Sequence, residues 1–398
     1  VNSDVPKPMI PIDGKPILEY QINALAAQGY CEIILIIGHL GHVIRDYFED
    51  GSKWNVQISY IEENTPLGTA GALFYLKEQI KDDFLLLNGD IIFDVDIRRF
   101  LAYHKAQGTM ATILTHPNSH PYDSGIIVAD NDGRATNWLH KEDPRLWYRN
   151  RVNAGLHMLS PRIFSFFSDL QKKDLDRDIL KPLIIQRELS VYDSPEYIKD
   201  MGTPDRYYSV IEDIHSGKVA AKNLARKQKA IFLDRDGTIN KYVGFLTNID
   251  EFELLDGVAE AIRQINESGY LAIVASNQPV IARGEVSPEE LQEIHNKMET
   301  LLGQKGAYLD AIFYCPHHPH KGYEGERPEY KIECECRKPK PGMLLAAAEK
   351  YNIDLTQSWM IGDSDNDIEA GQAARCRVIK VNTNSSELSS AVKMILNQ

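Results

Sequence analysis

KAIFLDRDGT, at residues 229–238, contains the apolar run AIFL, which is followed by two aspartates, Asp234 and Asp236, with one residue between them. The run has the length of a buried strand, and strand-like and helix-like segments alternate after it along the sequence. Such alternation is typical of an α/β sheet with helices packed on it. One helix start is marked clearly, because Ser287, Pro288 and Glu290 supply an N-cap, a first-turn proline and a capping box.

Polar residues follow several of these strands at the point where each strand ends. They are Asp234 and Asp236 after AIFL, Ser276 and Asn277 after LAIVA, Asp363 after SWMIG with Asp365 and Asp367 just beyond it, and Lys338 before the helix GMLLAAAEKY. Ligands of open α/β sheets bind beyond the carboxyl ends of the strands, so we expect these side chains to meet. Several carboxylates at one edge repel one another and need a cation, for which Mg²⁺ is suited by its preference for oxygen ligands.

These positions resemble the four motifs of the haloacid-dehalogenase (HAD) phosphatase superfamily. The motifs are DRDGT at 234–238, Ser276, Lys338 and GDSDND at 362–367. The resemblance implies that Asp234 is the nucleophile that forms an aspartyl phosphate, and that Asp236 protonates the leaving oxygen and then activates water. It also implies that Ser276 and Lys338 hold the phosphoryl oxygens. Mg²⁺ is then held at Asp234, Asp236 and Asp363, with a main-chain carbonyl among the ligands.

A cluster of cysteines and histidine predicts a second metal site. The four residues are Cys315, His317, Cys334 and Cys336, a set suited to tetrahedral Zn²⁺. The loop between the two pairs has too few apolar residues to fold alone, so zinc would supply its order. Because four protein ligands leave no open position, we expect a structural zinc; catalytic zinc and reduced surface thiols are the alternatives. A DNA-binding zinc finger is excluded, because no basic helix follows the ligands.

The zinc loop, with SNQPVIARGE at 276–285 and CRKPKPGM at 336–343, resembles the heptose-1,7-bisphosphate 7-phosphatases. These are similar to histidinol-phosphate phosphatases. The resemblance implies that Asn277, Arg283 and Arg337 contact the substrate, since an Arg fork suits a second phosphate and sugar hydroxyls. Surface ion pairing is the alternative for both arginines. Pro279 and Val280 stand where many relatives carry Ser-Gly, a departure that we associate with the α anomer of the substrate.

Five motifs in the first half of the chain resemble sugar-1-phosphate nucleotidyltransferases. They are PKPMIPIDGKP at 6–16, PLGTAGAL at 66–73, LNGD at 87–90, NAGLHMLSP at 153–161 and IKDMGTPDRY at 198–207. Such enzymes need positioning, charge neutralisation and Mg²⁺. The resemblance implies that Lys7 neutralises phosphate, that Asp90 and Asp200 bind the metal, and that the turn from Gly68 to Gly71 admits the base or sugar. The implied sugar contacts are Lys141, Asn153, Gly155 and Thr203.

One motif of that family is missing from the sequence. The family opens with a strand and a GGxGTRL loop some twenty residues before the PKP motif, whereas six residues precede Lys7 here. We expect the sheet to lose a central strand and its two neighbours to keep unpaired edges. The sequence is then either incomplete at its N-terminus, which we favour, or carries a degenerate binding module in its first half.

Composition and charge limit the remaining function classes. Of the 398 residues, 43% are hydrophobic and 25% are charged, as in ordinary globular proteins. No apolar run reaches the roughly 18 to 20 residues that cross a bilayer, so we predict no membrane span. With 44 basic and 57 acidic residues the formal charge is −13, which argues against nucleic-acid or membrane partners. The clustered cysteines favour a reducing compartment, and we expect the cytoplasm.

We therefore predict two Rossmann-like three-layer α/β domains. A nucleotidyltransferase-like domain takes residues 1–212, a basic helical linker with a solvated charged face takes 213–228, and a HAD phosphatase with a zinc loop takes 229–398. The second domain would release the distal phosphate of a sugar bisphosphate, and the first would consume the resulting sugar 1-phosphate.

This pairing predicts a bifunctional enzyme of GDP-heptose synthesis that acts on D-glycero-D-manno-heptose 1,7-bisphosphate and GTP. The choice of GTP depends on association alone. One alternative is a histidinol-phosphate phosphatase beside an unrelated transferase. Another is a phosphatase beside a degenerate module that only binds nucleotide sugar. The base, the anomer, the oligomeric state and the final glycan stay open.

Overall fold

The computed structural model describes residues 5–322 and 324–398 of the chain. The chain divides into two compact units. The first contains the residues up to Thr115 together with Ile127–Trp138 and Asn153–Ala220. The second contains Ala221–Gln398 and two segments from earlier in the sequence, His116–Ile126 and Leu139–Val152. No helix in the described parts of the chain is both long enough and apolar enough to span a membrane.

Residues before Lys222 form twelve strands and six α-helices within the described part of the chain. The strands are β1 Pro11–Ile12, β2 Lys15–Pro16, β3 Glu32–Ile37, β4 Gln57–Glu62, β5 Phe84–Leu87, β6 Ile91–Asp94, β7 Ala111–His116, β8 Ile126–Ala129, β9 Ala135–Leu139, β10 Val152–Leu159, β11 Leu189–Asp193 and β12 Tyr197–Asp200. The helices are α1 Ile17–Ala26, α2 Gly41–Phe48, α3 Ile97–Gln107, α4 Lys181–Ile185, α5 Pro204–His215 and α6 Lys218–Ala221.

The segment TAGALFYLKEQI forms a 3₁₀ helix, Gly71–Leu76, and not the α-helix that its apolar spacing predicts. The amide of Ala70 donates to Lys173 O at 3.0 Å, and the amide of Lys173 donates to Leu67 O at 2.9 Å. These two bonds pin the entry of the segment to a distant stretch of backbone. The first turn is therefore set by tertiary contacts rather than by helix propensity.

Several strands of the first unit have a strand partner on one side only. β3 and β4 form a parallel pair of their own, whereas β5 pairs with β10 at the side of a sheet ordered β11-β7-β10-β8-β9. Within residues 5–322 and 324–398, β3 and β5 thus have one strand partner each. The same holds for β4, β9 and β11, and the loss of a central strand stays a prediction.

The second unit is built on a five-stranded parallel sheet in the order β15-β14-β13-β16-β17. Its strands are β13 Lys229–Leu233, β14 Tyr270–Asn277, β15 Ala311–Cys315, β16 Trp359–Gly362 and β17 Arg377–Lys380. Its helices are α7 Val258–Glu267, α8 Pro288–Gly303, α9 Gly342–Tyr351, α10 Asp365–Ala373 and α11 Glu387–Leu396. The capping box predicted for α8 is confirmed, with Ser287 Oγ accepting from the Glu290 amide at 3.1 Å.

Helices cover both faces of this sheet. Ile231 and Leu233 of β13 pack into a core with α7, α8 and α11. Ala230 and Phe232, which alternate with them, pack on the other side with α9. Alternate side chains of a strand point to opposite faces, so the sheet is the middle of three layers. The predicted α/β class is confirmed.

The register of the sheet explains why the polar residues meet. Leu233 is level with Val274 on β14 and with Ile361 on β16. Asp234, the residue after Leu233, therefore lies level with the carboxyl-terminal part of β14, which contains Ser276, and with Gly362 at the end of β16. All three strands run in parallel, so their carboxyl ends share one edge of the sheet.

The predicted linker is not solvated along its whole length. Lys222 and Asn223 are buried, and Leu224 belongs to the core beneath α9. Lys222 Nζ lies 3.3 Å from the Asp310 carboxylate, which also accepts the Ala272 amide at 2.7 Å. The expectation of a uniformly exposed charged face is thus wrong at Lys222, because an acidic partner far away in sequence neutralises it.

Candidate active site

The ammonium of Lys338 lies at the centre of the site. Its Nζ is 2.7 Å from Asp234 Oδ1 and 2.7 Å from the carbonyl oxygen of Ala275, and it also contacts Asp367 Oδ1. Lys338 is buried, so these acceptors replace the water that the ammonium loses. Burial alone would lower the pKa of Lys338, but Asp234 and Asp367 raise it above its ordinary value. The lysine is therefore a fixed positive charge at the edge of the sheet.

The carboxylates around it exceed this single charge. Burial raises the pKa of Asp234 to about 7, against the effect of Lys338 and with the help of the nearby Asp367. Asp363 also has a raised pKa, first because of burial. Oxygens of Asp234, Asp363 and Asp367 lie within 4.8 Å of one another. Three carboxylates against one ammonium leave two negative charges, which is the charge that one divalent cation would balance.

Glycines allow these carboxylates to come close. Gly237, the glycine of DRDGT, has a φ of +85°, and a Cβ there would overlap with Asp363 Oδ2. Gly362 is equally confined, since a Cβ at that position would overlap with the carboxylate of Asp367. Asp367 in turn accepts from the backbone amide of Ser364 at 3.0 Å and so caps α10.

Asp236 occupies a different environment from the other acids. Its two oxygens accept from Arg235 Nη2 at 3.0 and 2.9 Å, from Asn240 Nδ2 at 3.0 Å and from Gln278 Nε2 at 2.8 Å. Burial would raise its pKa, but Arg235, Asn240 and Gln278 lower it below the ordinary value. The Asp236 carboxylate does not belong to the group of convergent acids formed by Asp234, Asp363 and Asp367.

This arrangement changes the predicted magnesium ligands. The sequence places Asp234, Asp236 and Asp363 around the ion, whereas in the structure the side chain that joins the other two is Asp367. The side chain of Asp236 is instead engaged by Arg235. Carboxylate oxygens are the ligands that Mg²⁺ prefers, so the donor set fits this ion.

The same cavity, which has a volume of about 430 Å³, is lined by three more of the predicted residues: Ser276, Asn277 and Arg337. Ser276 Oγ accepts from Gln278 Nε2 at 2.8 Å. Asn277 bonds to the backbone of Lys338 in both directions, at 3.0 Å each, and so fixes the loop that carries the lysine. Arg337 also lines the cavity, and its Nη1 donates to the His317 carbonyl at 3.1 Å.

Arg283 is not among the residues that line the cavity. Its guanidinium stacks over the ring of Phe245 at 4.3 Å and pairs with Glu285 at 2.7 Å. Phe245 does line the cavity, so Arg283 supports its wall through an aromatic ring. The ion pair that sequence reasoning kept as the alternative is therefore present.

The four predicted zinc ligands converge. Cys336 Sγ lies 3.1 Å from Cys315 Sγ, 3.3 Å from Cys334 Sγ and 3.4 Å from His317 Nδ1. Disulfides have a sulfur–sulfur distance near ~2.05 Å, so these are free thiols. The set of three sulfurs and one imidazole nitrogen suits a tetrahedral metal. Cys315 ends β15, which pairs with β14 at Asn277, so the cluster is attached to the active-site edge of the sheet.

In the first unit, the structure brings together the two predicted metal-binding aspartates. Asp90 O accepts from the Met201 amide at 3.1 Å, next to Asp200 at the end of β12. Lys7 Nζ lies 3.9 Å from Asp90 Oδ2. Asp200 is already engaged, since both its oxygens accept from Arg206 Nη1 at 2.9 Å.

Close packing explains why three predicted positions of the first unit, Gly68, Gly71 and Gly155, are glycines. Gly155 has a φ of +75°, and a Cβ there would lie 2.8 Å from Asn88 Nδ2. The motifs NAG and LNGD are therefore in contact, and Asn153 Oδ1 caps the Gly155 amide at 3.1 Å. At Gly68 and Gly71 the close neighbour is the backbone of residues 171–173. A side chain at either glycine would therefore meet the chain itself, and the contact of this turn with a base or sugar stays a prediction.

Two other predicted sugar contacts have local partners. Lys141 is an exposed residue of the segment Leu139–Val152, which belongs to the second unit, and its Nζ lies 4.0 Å from Glu142. Thr203 is the N-cap of α5, where its Oγ1 accepts from the Arg206 amide at 3.3 Å.

Sequence reasoning placed Asp367 at this edge of the sheet but gave it no role, and it gave none to Arg235 or Gln278. Asp367 stands three residues after Ser364, a spacing that indicates a capping box at the start of a helix. That spacing gives no sign that Asp367 also contacts Lys338. Arg235 and Gln278 each adjoin a predicted residue, but only the folded chain shows that both hold Asp236.

The parallel sheet, with acids and a buried lysine at the carboxyl ends of its strands, defines the second unit as a HAD-type hydrolase. A HAD-hydrolase-like family model matches residues 335–395, and a nucleotidyl transferase model matches residues 1–217. The chain belongs to the nucleotidyl transferase family, and its second half belongs to the heptose-1,7-bisphosphate 7-phosphatases. It is therefore an enzyme that carries a nucleotidyltransferase and a phosphatase in one polypeptide.

Two curated relatives carry the phosphatase assignment. The D-glycero-beta-D-manno-heptose-1,7-bisphosphate 7-phosphatase of Pasteurella multocida (strain Pm70) is 45% identical over 150 residues, which are 38% of this chain and 79% of that protein. The enzyme of the same name from Photorhabdus laumondii is 41% identical over 172 residues, 42% of this chain and 89% of that protein. Among solved structures, HddC from Yersinia pseudotuberculosis is 25% identical, covers 54% of this chain and 92% of its own, and has a TM-score of 0.47.

Proposed function

We propose that the chain makes a GDP-activated heptose in two steps. Its phosphatase would remove the C7 phosphate of D-glycero-α-D-manno-heptose 1,7-bisphosphate through an aspartyl phosphate. Its transferase would then join GMP from GTP to the remaining 1-phosphate and release pyrophosphate. The observation that carries the first step is the buried Asp234 carboxylate beside Lys338 at the end of the central strand. The observation that supports the second is the match of residues 1–217 to the nucleotidyl transferases.

In the first step an oxygen of Asp234 attacks the phosphorus, and the bond to the C7 oxygen breaks. Asp236 would protonate that oxygen, so the leaving group departs as an alcohol; because its neighbours hold the pKa of Asp236 low, the proton reaches it from the phosphate monoester itself. Water then attacks the aspartyl phosphate while Asp236 takes up its proton, which releases phosphate and restores Asp234. Lys338 and Ser276 hold the phosphoryl oxygens during both displacements.

A magnesium ion is part of this proposal. Asp234, Asp363 and Asp367 would hold it, together with the main-chain carbonyl at Asp236. When bound, the ion neutralises charge on the carboxylates and on the phosphoryl group. The excess of carboxylates over Lys338 supports this role, because the carboxylates repel one another and a divalent cation would balance the two remaining negative charges.

We also propose that the cysteine cluster holds a structural zinc. Cys336 is followed directly by Arg337 and Lys338, both of which line the cavity. A metal that fixes Cys336 against Cys315 would thus fix the loop that delivers these two cations. Reduced thiols suit the cytoplasm, where we place the protein.

Arg337 is the candidate for the second phosphate of the substrate. It is a cation at the wall of the cavity, and its fork suits a phosphate that is not being cleaved. Pro279 and Val280 line the same wall. The relatives carry the β anomer in their names, so our choice of the α anomer depends on these two residues and on the fused transferase.

The phosphatase step is tested by phosphate release from three substrates: the α and β heptose 1,7-bisphosphates and histidinol phosphate. We expect the α-bisphosphate to have the highest kcat/KM and Asp234→Asn to abolish release. Asp365→Asn is the matched control, since Asp365 is exposed and pairs with Lys380. A higher kcat/KM for the β-bisphosphate would show that the α anomer was the wrong choice. A higher kcat/KM for histidinol phosphate would show that the substrate is not a heptose bisphosphate.

The transferase step is tested by pyrophosphate release from GTP, CTP and ATP in the presence of heptose 1-phosphate. The chain is compared with a version in which a GGxGTRL strand is joined ahead of residue 1. We expect GTP to be used by the extended version. Binding of GDP-heptose without any pyrophosphate release in either version would instead favour a sensor of nucleotide sugar.

A further inference from the structure

A segment of the first half of the chain is built into the phosphatase unit. We call residues Leu139–Val152 the arm; they lie within the stretch that matches the nucleotidyl transferases but belong to the second unit. Arg151 of the arm is almost fully buried. Its guanidinium reaches Glu299 Oε1 at 3.1 Å, the Asp310 carbonyl at 3.0 Å and its neighbour Asn150 O at 2.6 Å.

The contact continues along one side of α8. Tyr148 exchanges two hydrogen bonds with Thr300 Oγ1, donating from its amide at 2.9 Å and accepting at its carbonyl at 3.1 Å. The ammonium of Lys297 lies 5.3 Å from the ring of Trp147. These main-chain hydrogen bonds and the buried charge pair fix the position of the arm along α8. Apolar contacts, which are not directional, would leave that position less well defined.

The side of α8 that faces the arm carries polar residues that are buried. Glu299 and Thr300 are each 1% exposed, although Glu is a residue that is almost never fully buried unless it is paired. Without the arm, the Glu299 carboxylate and the Thr300 hydroxyl would lose partners that they have in the structure. The charges are complementary as well, because a cationic arm residue meets an anionic helix residue.

The same helix reaches the catalytic edge of the unit. His295 is one turn before Glu299, and residues four apart lie on the same side of a helix. His295 Nε2 is 3.2 Å from Arg235 Nη1, and both residues are buried. Arg235 Nη2 in turn holds both oxygens of Asp236. A displacement of α8 would therefore reach Asp236 through His295 and Arg235.

We propose that the arm is a positioning element of the phosphatase: by fixing α8 through Arg151 and Thr300, it places His295 and Arg235 so that Asp236 faces the leaving oxygen. The proposal depends on the proposed phosphatase activity. Phosphate turnover thus requires a segment supplied by the transferase-family part of the chain. Arg151 and Thr300 are positioning residues, since they act through α8.

The test uses the full chain with p-nitrophenyl phosphate, so its outcome does not depend on the identity of the sugar. Arg151→Met removes the charge and keeps most of the volume, and Thr300→Val removes the hydroxyl alone. Arg162→Met is the matched control, because Arg162 also pairs with a glutamate, Glu188 at 3.2 Å, but at an exposed position of the first unit. Each variant is assayed well below its own thermal midpoint, so that loss of folded protein is not counted as loss of turnover.

We expect Arg151→Met and Thr300→Val to lower kcat by about 10- to 100-fold with KM within about twofold, since misplacement affects turnover more than ground-state binding. Arg151→Lys should restore part of kcat, and Arg162→Met should leave it unchanged. Folded variants with wild-type kcat would overturn the proposal. If Arg151→Met does not fold, Thr300→Val and Arg151→Lys decide by the same criterion. An inactive wild-type chain would count against the proposed phosphatase itself, whereas an active wild type with unaffected variants counts against the arm alone.

Discussion

Lys338 Nζ and Asp234 Oδ1 lie 2.7 Å apart, although 104 residues separate them in sequence. The lysine reaches the aspartate because Asn277 holds its backbone at the end of β14. The pair is buried, so the attraction between the two charges is stronger than it would be in water. A resident cation next to the expected nucleophile can hold a phosphoryl group in place as negative charge builds on it.

Replacing that cation should therefore cost turnover. We expect Lys338→Met to lower kcat by about 10²- to 10³-fold, the usual effect of removing one group that stabilises developing charge. Lys338→Arg should not restore activity, because a planar fork does not fit the three acceptors around a compact ammonium. Lys340→Met is the control, since Lys340 is exposed and pairs with Glu335 at 2.9 Å. Activity within a few-fold of wild type in Lys338→Met would contradict this role.

Loss of the cysteine cluster should remove both a metal and activity. We expect purified protein to contain one equivalent of zinc by elemental analysis, and Cys336→Ser to contain much less. Phosphatase activity should fall with it, because Lys338 follows two residues later and depends on the same loop. Cys31→Ser is the control, since Cys31 is exposed and outside the cluster. Full zinc content in Cys336→Ser would show that the four residues do not form the site.

The buried pair of Arg151 and Glu299 predicts a large effect on stability. Arg151→Met leaves the Glu299 carboxylate buried without its partner, and we expect the free energy of unfolding of the second unit to fall by about 3–5 kcal/mol. The double replacement Arg151→Met with Glu299→Leu should recover part of this loss, because it also removes the stranded charge. Denaturant unfolding followed by a probe in the second unit measures both. Equal losses in the single and double variants would mean that the charge pair is not the cause.

His157 on β10 predicts a pH dependence of the first unit. Burial lowers the pKa of this histidine to about 4 from its ordinary value near 6.5, so the folded state holds it neutral. The unfolded chain takes up a proton as the pH falls below about 6.5 and the folded state does not, so unfolding becomes easier between about pH 6.5 and 4. The total effect is about 3 kcal/mol for this shift.

His157→Gln should flatten that dependence, as measured by denaturant unfolding at pH 5 and pH 7.5. The exposed His42 serves as the control, and His42→Gln should keep the slope of the wild-type protein. An unchanged slope in His157→Gln would assign the pH dependence to other groups.

The sequence was sufficient for the parts of the site that depend on strand ends. Asp234, Ser276 and Asp363 each end or follow an apolar run, and parallel strands bring such ends to one edge. The cysteine cluster was also readable, because both halves are short motifs of known ligands. In these cases local spacing and one rule of topology determine the neighbours.

Other contacts could not be read from the sequence. Asp367 has the spacing of a helix cap, and its approach to Lys338 depends on how two loops pack. Arg151 lies in the polar stretch YRNRVN, which resembles an exposed loop until its partner 148 residues later is known. The 3₁₀ helix Gly71–Leu76 has an α-helical pattern that the backbone bonds to Lys173 override.

The long separation between Arg151 and Glu299 has a consequence for synthesis. The ribosome adds about 5–20 residues per second, so the arginine waits roughly 7 to 30 seconds before its glutamate has been made. Throughout that interval the positively charged arm lacks α8, the helix that it contacts in the folded protein. The adjoining strand β10 can already pair with β5. A chaperone that shields the arm, or a pause before α8, would thus alter the yield of active enzyme without changing any residue of either catalytic centre.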